Sequence, residues 1–90
     1  MVEATLTITH PLGLHARPAA LLCITARRFK STITVQNLSR PDTKPAVLSP
    51  WNLISQAVTQ GQQVRVVATG EDAEAAIAAL TELVNGNFGE

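Results

Sequence analysis

His15 stands where a short glycine-bearing loop gives way to a segment of helical periodicity, in Gly13-Leu14-His15-Ala16-Arg17-Pro18-Ala19. Imidazole is a nucleophile near neutral pH, because its ordinary pKa of about 6.5 leaves much of it unprotonated. The first N–H groups of a helix have no acceptor within it and point outward, which favours an anion. Pro18 has no N–H, so the donors offered to an anion would be those of Ala16 and Arg17. Arg17 adds a planar cation whose fork matches phosphate oxygens. Types and spacing thus place a nucleophile beside a cradle for phosphate. The competing reading is an ordinary surface histidine, and residue types alone leave both open.

These side chains need a frame. Val2, Ala4, Leu6 and Ile8 alternate with Glu3, Thr5, Thr7 and Thr9, the period of a half-buried strand. His10-Pro11-Leu12-Gly13 breaks that period, which predicts a loop with His10 in solvent. From Ala16 to Phe29 the spacing becomes helical, with Pro18, Leu22, Thr25, Ala26 and Phe29 on one stripe. Pro18 is tolerated in the first turn, and Arg27, Arg28 and Lys30 suit the negative pole at the far end.

Ser31 to Gln36 predicts a second strand with Ile33 and Val35 inward, and Asn37 to Pro45 a turn. A short strand is expected over Lys44 to Leu48, weakened by Pro41 and Pro45. Ser49-Pro50 combines a capping hydroxyl with a proline at the first helical position, predicting a helix over Trp51 to Thr59. Gln63 to Ala68 alternates once more. Glu71 and Asp72 place acids at the positive pole of a last helix, whose stripe is Ala73, Ala76, Ile77, Leu80, Leu83 and Val84. Asn85-Gly86-Asn87 ends it. The order β-α-β-β-α-β-α predicts an α+β, two-layer architecture in one domain over residues 1–90, with helices on one side of the sheet.

Composition narrows the function. Ninety residues suit one small core, and 46% hydrophobic with 16% charged residues describes a globular chain. Seven basic and seven acidic residues cancel, which argues against a nucleic-acid partner. The single Cys23 cannot form an internal disulfide and is expected to pack mid-helix. Neither a signal peptide nor a run of about twenty apolar residues is seen, so a cytoplasmic setting without membrane insertion is expected. His10 and His15 have no further ligands near them in sequence, so no metal is expected.

The run Gly13-Leu14-His15-Ala16-Arg17-Pro18-Ala19 resembles the active-site motif of the HPr family, the histidine phosphocarriers of the bacterial phosphoenolpyruvate-dependent sugar phosphotransferase system. The resemblance extends to chain length, element order, the serine opening the second helix, the glycine before the last strand and the Gly89-Glu90 end. It implies an open-faced sandwich, a four-stranded antiparallel sheet covered on one face by three helices. It implies that His15 accepts phosphate on Nδ1 from phosphorylated enzyme I and passes it to the IIA components of sugar permeases. Arg17 and the N–H groups of Ala16 and Arg17 would steady the group. On this reading the protein needs no cofactor and is a covalent intermediate of a relay, not an enzyme.

The resemblance also marks Ser49 as a target for an HPr kinase/phosphorylase, with a catabolite-control transcription factor as the later partner. Pro50-Trp51-Asn52 departs from the family's aliphatic-and-glycine stretch there, and capping alone accounts for a serine. Trp51, for which a core place is the ordinary alternative, corresponds to an exposed apolar residue of the family's docking surface; with Ala16, Ala20, Pro50 and Ile54 it would form the patch that enzyme I and IIA proteins cover. That departure keeps open a regulatory paralogue, nitrogen-related or in catabolite control, for which phosphorylation is a signal. Arg27, Arg28 and Lys30 are read as a solvated helix end.

Overall fold

The computed structural model describes residues 1–89. In chain order the elements are β1 (Val2–Thr7), α1 (Ala16–Ala26), β2 (Thr32–Asn37), β3 (Ala46–Val47), α2 (Pro50–Ser55), β4 (Gln63–Thr69) and α3 (Ala73–Asn85), then a 3-10 turn over Asn87–Gly89. The strands form one antiparallel sheet in the order β1-β4-β2-β3. Leu6 stands opposite Val64, Val35 opposite Val66, and Ile33 opposite Ala68, so the register puts the apolar residues of three strands on one face. The helices cover that face. The other face meets water and carries the ion pair of Arg65 with Glu3. This is the open-faced α+β sandwich expected from the sequence.

The helices and the sheet share one core, in which Ile8, Val35, Leu53, Val64 and Leu80 are almost wholly enclosed. α3 contributes Ala73, Ala76, Ile77, Leu80 and Val84, and Leu83 is half-buried at the stripe's edge. No helix among the described residues is long and apolar enough to cross a membrane.

Several boundaries differ from the sequence pattern, each for a local reason. β1 ends at Thr7, but Ile8 continues the pairing as a single rung, its N–H donating to Gln62 O at 2.9 Å and its carbonyl accepting from Gly61 N–H at 2.7 Å. α1 stops at Ala26, not Phe29. Its last turn tightens, with Arg28 N–H on Thr25 O and Phe29 N–H on Ala26 O, and the chain leaves for β2. The buried stripe of α1 is Pro18, Ala19, Leu22 and Cys23, with Thr25 only half-buried. β3 is reduced to two residues, beside Pro45, which has no N–H for a ladder.

α2 is likewise shorter than its pattern, ending at Ser55, because Ala57 turns left-handed at φ 52° and Gln56 is drawn into buried hydrogen bonds. Asp72 precedes α3 as expected, but its carboxylate does not cap that helix. It accepts instead from Lys30 N–H at 2.8 Å, Ser31 N–H at 3.0 Å and Ser31 Oγ at 2.5 Å, fastening the start of β2 to the start of α3.

Candidate functional site

The loop between β1 and α1 is pinned before it reaches His15. Gly13 takes φ +68° and donates to His10 O at 2.9 Å, and Leu14 N–H donates to Val58 O at 3.0 Å. A Cβ at Gly13 would lie 2.2 Å from the Val58 carbonyl oxygen, so the close approach of the two segments requires glycine. Buried Leu14 anchors the next position.

His15 is thereby held as the N-cap residue of α1, with extended backbone, and its carbonyl accepts the N–H of Ala19 at 3.0 Å. Its side chain makes no capping hydrogen bond. A serine or aspartate at this position would turn its oxygen onto the first amides of the helix; the imidazole does not. Ser49 shows the contrast at α2, where Oγ accepts from Asn52 N–H at 3.2 Å. The first turn of α1 carries no acidic residue, and Arg17 is exposed there, so its positive pole is reinforced.

The ring of His15 is half-buried and asymmetric. Nε2 is enclosed and has no hydrogen-bond partner among the described residues, whereas Nδ1 is not among the enclosed side-chain atoms. Two nitrogens of one imidazole therefore meet different surroundings, and a nucleophilic role is available to Nδ1.

His10 corrects the sequence reading. It is buried, not solvated, with Leu12 N–H donating to its Nδ1 at 3.2 Å. Its ring lies against that of His15, centroids 5.0 Å apart and planes inclined by 50°. The signal was present in the sequence, since positions 2, 4, 6 and 8 point inward and position 10 keeps their phase. Among the described residues no group of three or more His, Cys, Asp or Glu side chains comes together as metal ligands would.

The residues singled out around the site fall on two helices. Ala16, Arg17 and Ala20 are exposed on α1, and Pro50, Trp51 and Ile54 are exposed on α2, which packs against α1. Trp51 is 75% exposed, which removes it from the core, while Leu53 on the opposite side of its helix is fully enclosed. Leu12 and Val47 are also exposed apolar residues, and the sequence reading missed both. Leu12 belongs to no period, which is the one hint that burial does not claim it. Cys23 is buried as expected; burial pushes its thiol pKa up, opposed more weakly by the Arg27 cation.

Comparison with known proteins agrees with this layout. A family model described as the PTS HPr component phosphorylation site matches residues 2–86. The chain is 38% identical over 90 residues to the phosphocarrier protein HPr of Xylella fastidiosa (strain Temecula1), covering all of this chain and 98% of that one. It is 42% identical over 89 residues to a multiphosphoryl transfer protein of Haemophilus influenzae, covering 99% of this chain. There it spans only 18% of the relative's length, and 22% of a Vibrio cholerae protein of the same name. The crystal structure of HPr-C-His from Thermoanaerobacter tengcongensis superposes with a TM-score of 0.89 at 43% identity, covering 100% and 98% of the two chains. The Mycoplasma histidine-containing phosphocarrier protein does so with 0.83 at 31% identity, covering 97% of each.

Proposed function

The chain belongs to the HPr family of phosphocarriers of the phosphotransferase system, and on that premise we propose that His15 is its phosphoacceptor, charged on Nδ1 by phosphorylated enzyme I and discharged to the IIA components of sugar permeases. The observation that carries this reading is the asymmetry of one ring at the mouth of α1, Nε2 enclosed and Nδ1 not.

The chemistry follows from the surroundings. The Nδ1 lone pair forms a bond to phosphorus as the donor's own bond to phosphorus breaks. Phosphoryl transfer asks mainly for alignment and for balance of the charge on the transferred oxygens. The positive pole of α1 and the Arg17 cation supply that balance from one side. Both are exposed to water, so they steady the group without holding it as a buried ion pair would, and it can leave again. The protein on this reading is a covalent intermediate and not itself an enzyme. We place it in the cytoplasm, where phosphoenolpyruvate is made.

For docking we propose Ala16, Ala20, Pro50, Trp51 and Ile54, flanked by Leu12 and Val47, all exposed. Ser49 takes second place as a regulatory site for an HPr kinase/phosphorylase, because its hydroxyl is already occupied as the cap of α2.

The test is incubation with enzyme I and phosphoenolpyruvate. An acid-labile, base-stable phosphate on the wild type, absent from a folded His15→Ala variant, supports the reading. Labelling that persists in His15→Ala, or none in the wild type, refutes it.

A further inference from the structure

No hydrogen bond among the described residues fixes the His15 ring: it does not cap α1, and Nε2 is enclosed without a partner. A ring that no polar contact orients takes its orientation from what it packs on. The aromatic ring beside it is that of His10, 5.0 Å away between centroids.

His10 is itself firmly seated. It is 5% exposed, and the Leu12 N–H on its Nδ1 holds the ring to its own loop. The Phe88 ring stands edge-on to it, centroids 6.3 Å apart and planes at 66°. Phe88 is buried and reaches this place with φ +58°, following Asn87 at φ +52°. A bulky residue rarely adopts the left-handed region, and does so only where surrounding contacts hold it. The Asn87–Gly89 turn is thus fitted against the His10 ring.

We propose that His10 is a positioning residue: packed against Phe88, its imidazole holds the His15 ring with Nε2 turned inward and Nδ1 outward, so that phosphoryl transfer is confined to one nitrogen. The proposal rests on His15 being the phosphoacceptor. Transfer through Nδ1 needs the neutral ring with its proton on Nε2. The proton stays there while the Nδ1–P bond forms and the donor's bond to phosphorus breaks. A ring released from His10 can present either nitrogen. A phosphoryl group on Nε2 would sit on the ring atom more distant from the main chain and its helix-terminal charge.

The test uses phosphoramidate, which gives its phosphoryl group to imidazoles with ammonia as leaving group and needs no docking partner. Wild type, His10→Ala and His10→Phe are compared, the nitrogen modified being read by phosphorus and long-range proton–nitrogen NMR. Wild type and His10→Phe, which keeps a flat ring, are expected to be modified on Nδ1 alone. His10→Ala is expected to divide its phosphate between the two nitrogens and to broaden the His15 ring signals before any phosphate is added. Charging of His10→Ala by saturating enzyme I is expected to be about five- to tenfold slower with KM unchanged, the cost of a misaligned nucleophile. Should His10→Ala lose the native amide spectrum, His10→Gln is read in its place, since it offers Leu12 an acceptor but no ring. A folded His10→Ala variant, or His10→Gln read in its place, modified on Nδ1 alone with unchanged His15 ring signals overturns the proposal, as does a wild type modified on both nitrogens. A wild type modified on Nδ1 by phosphoramidate but never by enzyme I would refute the carrier reading and leave the role of His10 standing.

Discussion

Asn37 and Gln56 are tied to each other twice: the Asn37 backbone N–H donates to Gln56 Oε1 at 2.9 Å, and Asn37 Nδ2 donates to the Gln56 carbonyl at 3.1 Å. Asn37 Nδ2 also donates to Gln62 Oε1 at 3.0 Å, and Gln56 Nε2 donates to Lys44 O at 3.0 Å. Asn37 is fully enclosed. One buried amide pair therefore joins the end of β2, the end of α2, the segment before β3 and the approach to β4. Replacing Asn37 with leucine leaves the Gln56 carbonyl without this donor in a buried setting. A loss of about 2–3 kcal/mol is expected, measured by urea unfolding, with the helices retained under native conditions.

Asp72 gives the fold an acid-sensitive fastening. The Ser31 hydroxyl first, and then the Lys30 amide, hold its carboxyl below the ordinary value of 3.8. A carboxyl whose folded pKa lies below its unfolded one adds stability that is fully present above the unfolded value. That contribution is lost as pH falls through the folded value. The urea midpoint of the wild type should therefore drop as pH is taken from 5 toward 2, in a range of about three pH units around and below that carboxyl's ordinary pKa. Asp72→Asn should start lower at neutral pH and show a shallower fall. Parallel curves for the two proteins would refute the assignment.

Ala57 follows α2 with φ 52°, where a side chain is disfavoured and glycine is not. Ala57→Gly is expected to stabilise the protein by about 1 kcal/mol, the left-handed penalty outweighing glycine's greater freedom when unfolded. Thermal unfolding followed by circular dichroism reads this as a Tm several degrees higher.

Trp51 tests the docking surface apart from the chemistry. It is 75% exposed, so Trp51→Ala should change stability by no more than about 0.5 kcal/mol. If it is an anchor for enzyme I, the same change should weaken that complex by about 2 kcal/mol, roughly thirtyfold in Kd by calorimetry. Modification of His15 by phosphoramidate should be unaffected.

Arg17→Ala separates charge balance from recognition. Because the guanidinium is expected to act on the transferred oxygens, the rate of charging at saturating enzyme I should fall about ten- to a hundredfold, while KM changes less. A change confined to KM would make Arg17 a docking residue.

What was legible in the sequence follows from which residues answer to a period. Val64, Val66 and Ala68 alternate cleanly and lie where the pattern put them, as do Ala76, Ile77 and Leu80 of α3. Ser49 and Pro50 opened α2 as their chemistry required. The segment from Asn37 to Pro45 was opaque because its order comes from contacts distant in sequence, above all from a polar residue buried at Asn37. The helical pattern overruns α1 because Phe29 keeps its phase after the helix has ended, and overruns α2 because Gln56 leaves it to meet β2. At the site, His15 and Arg17 were readable from their neighbours. His10 was missed because the proline after it suggested a loop in water, while the inward phase of β1 carried on to that position.

The tight seat of Gly13 under the Val58 carbonyl has a mechanical consequence. The stretch that carries the imidazole is bolted to the chain just beyond the helix that displays Trp51, with Leu14 N–H on Val58 O as the bolt. Handle and blade are one piece. On the docking proposed above, a partner seated on the tryptophan also bears on the footing of the histidine, so that recognition and aim are mechanically linked.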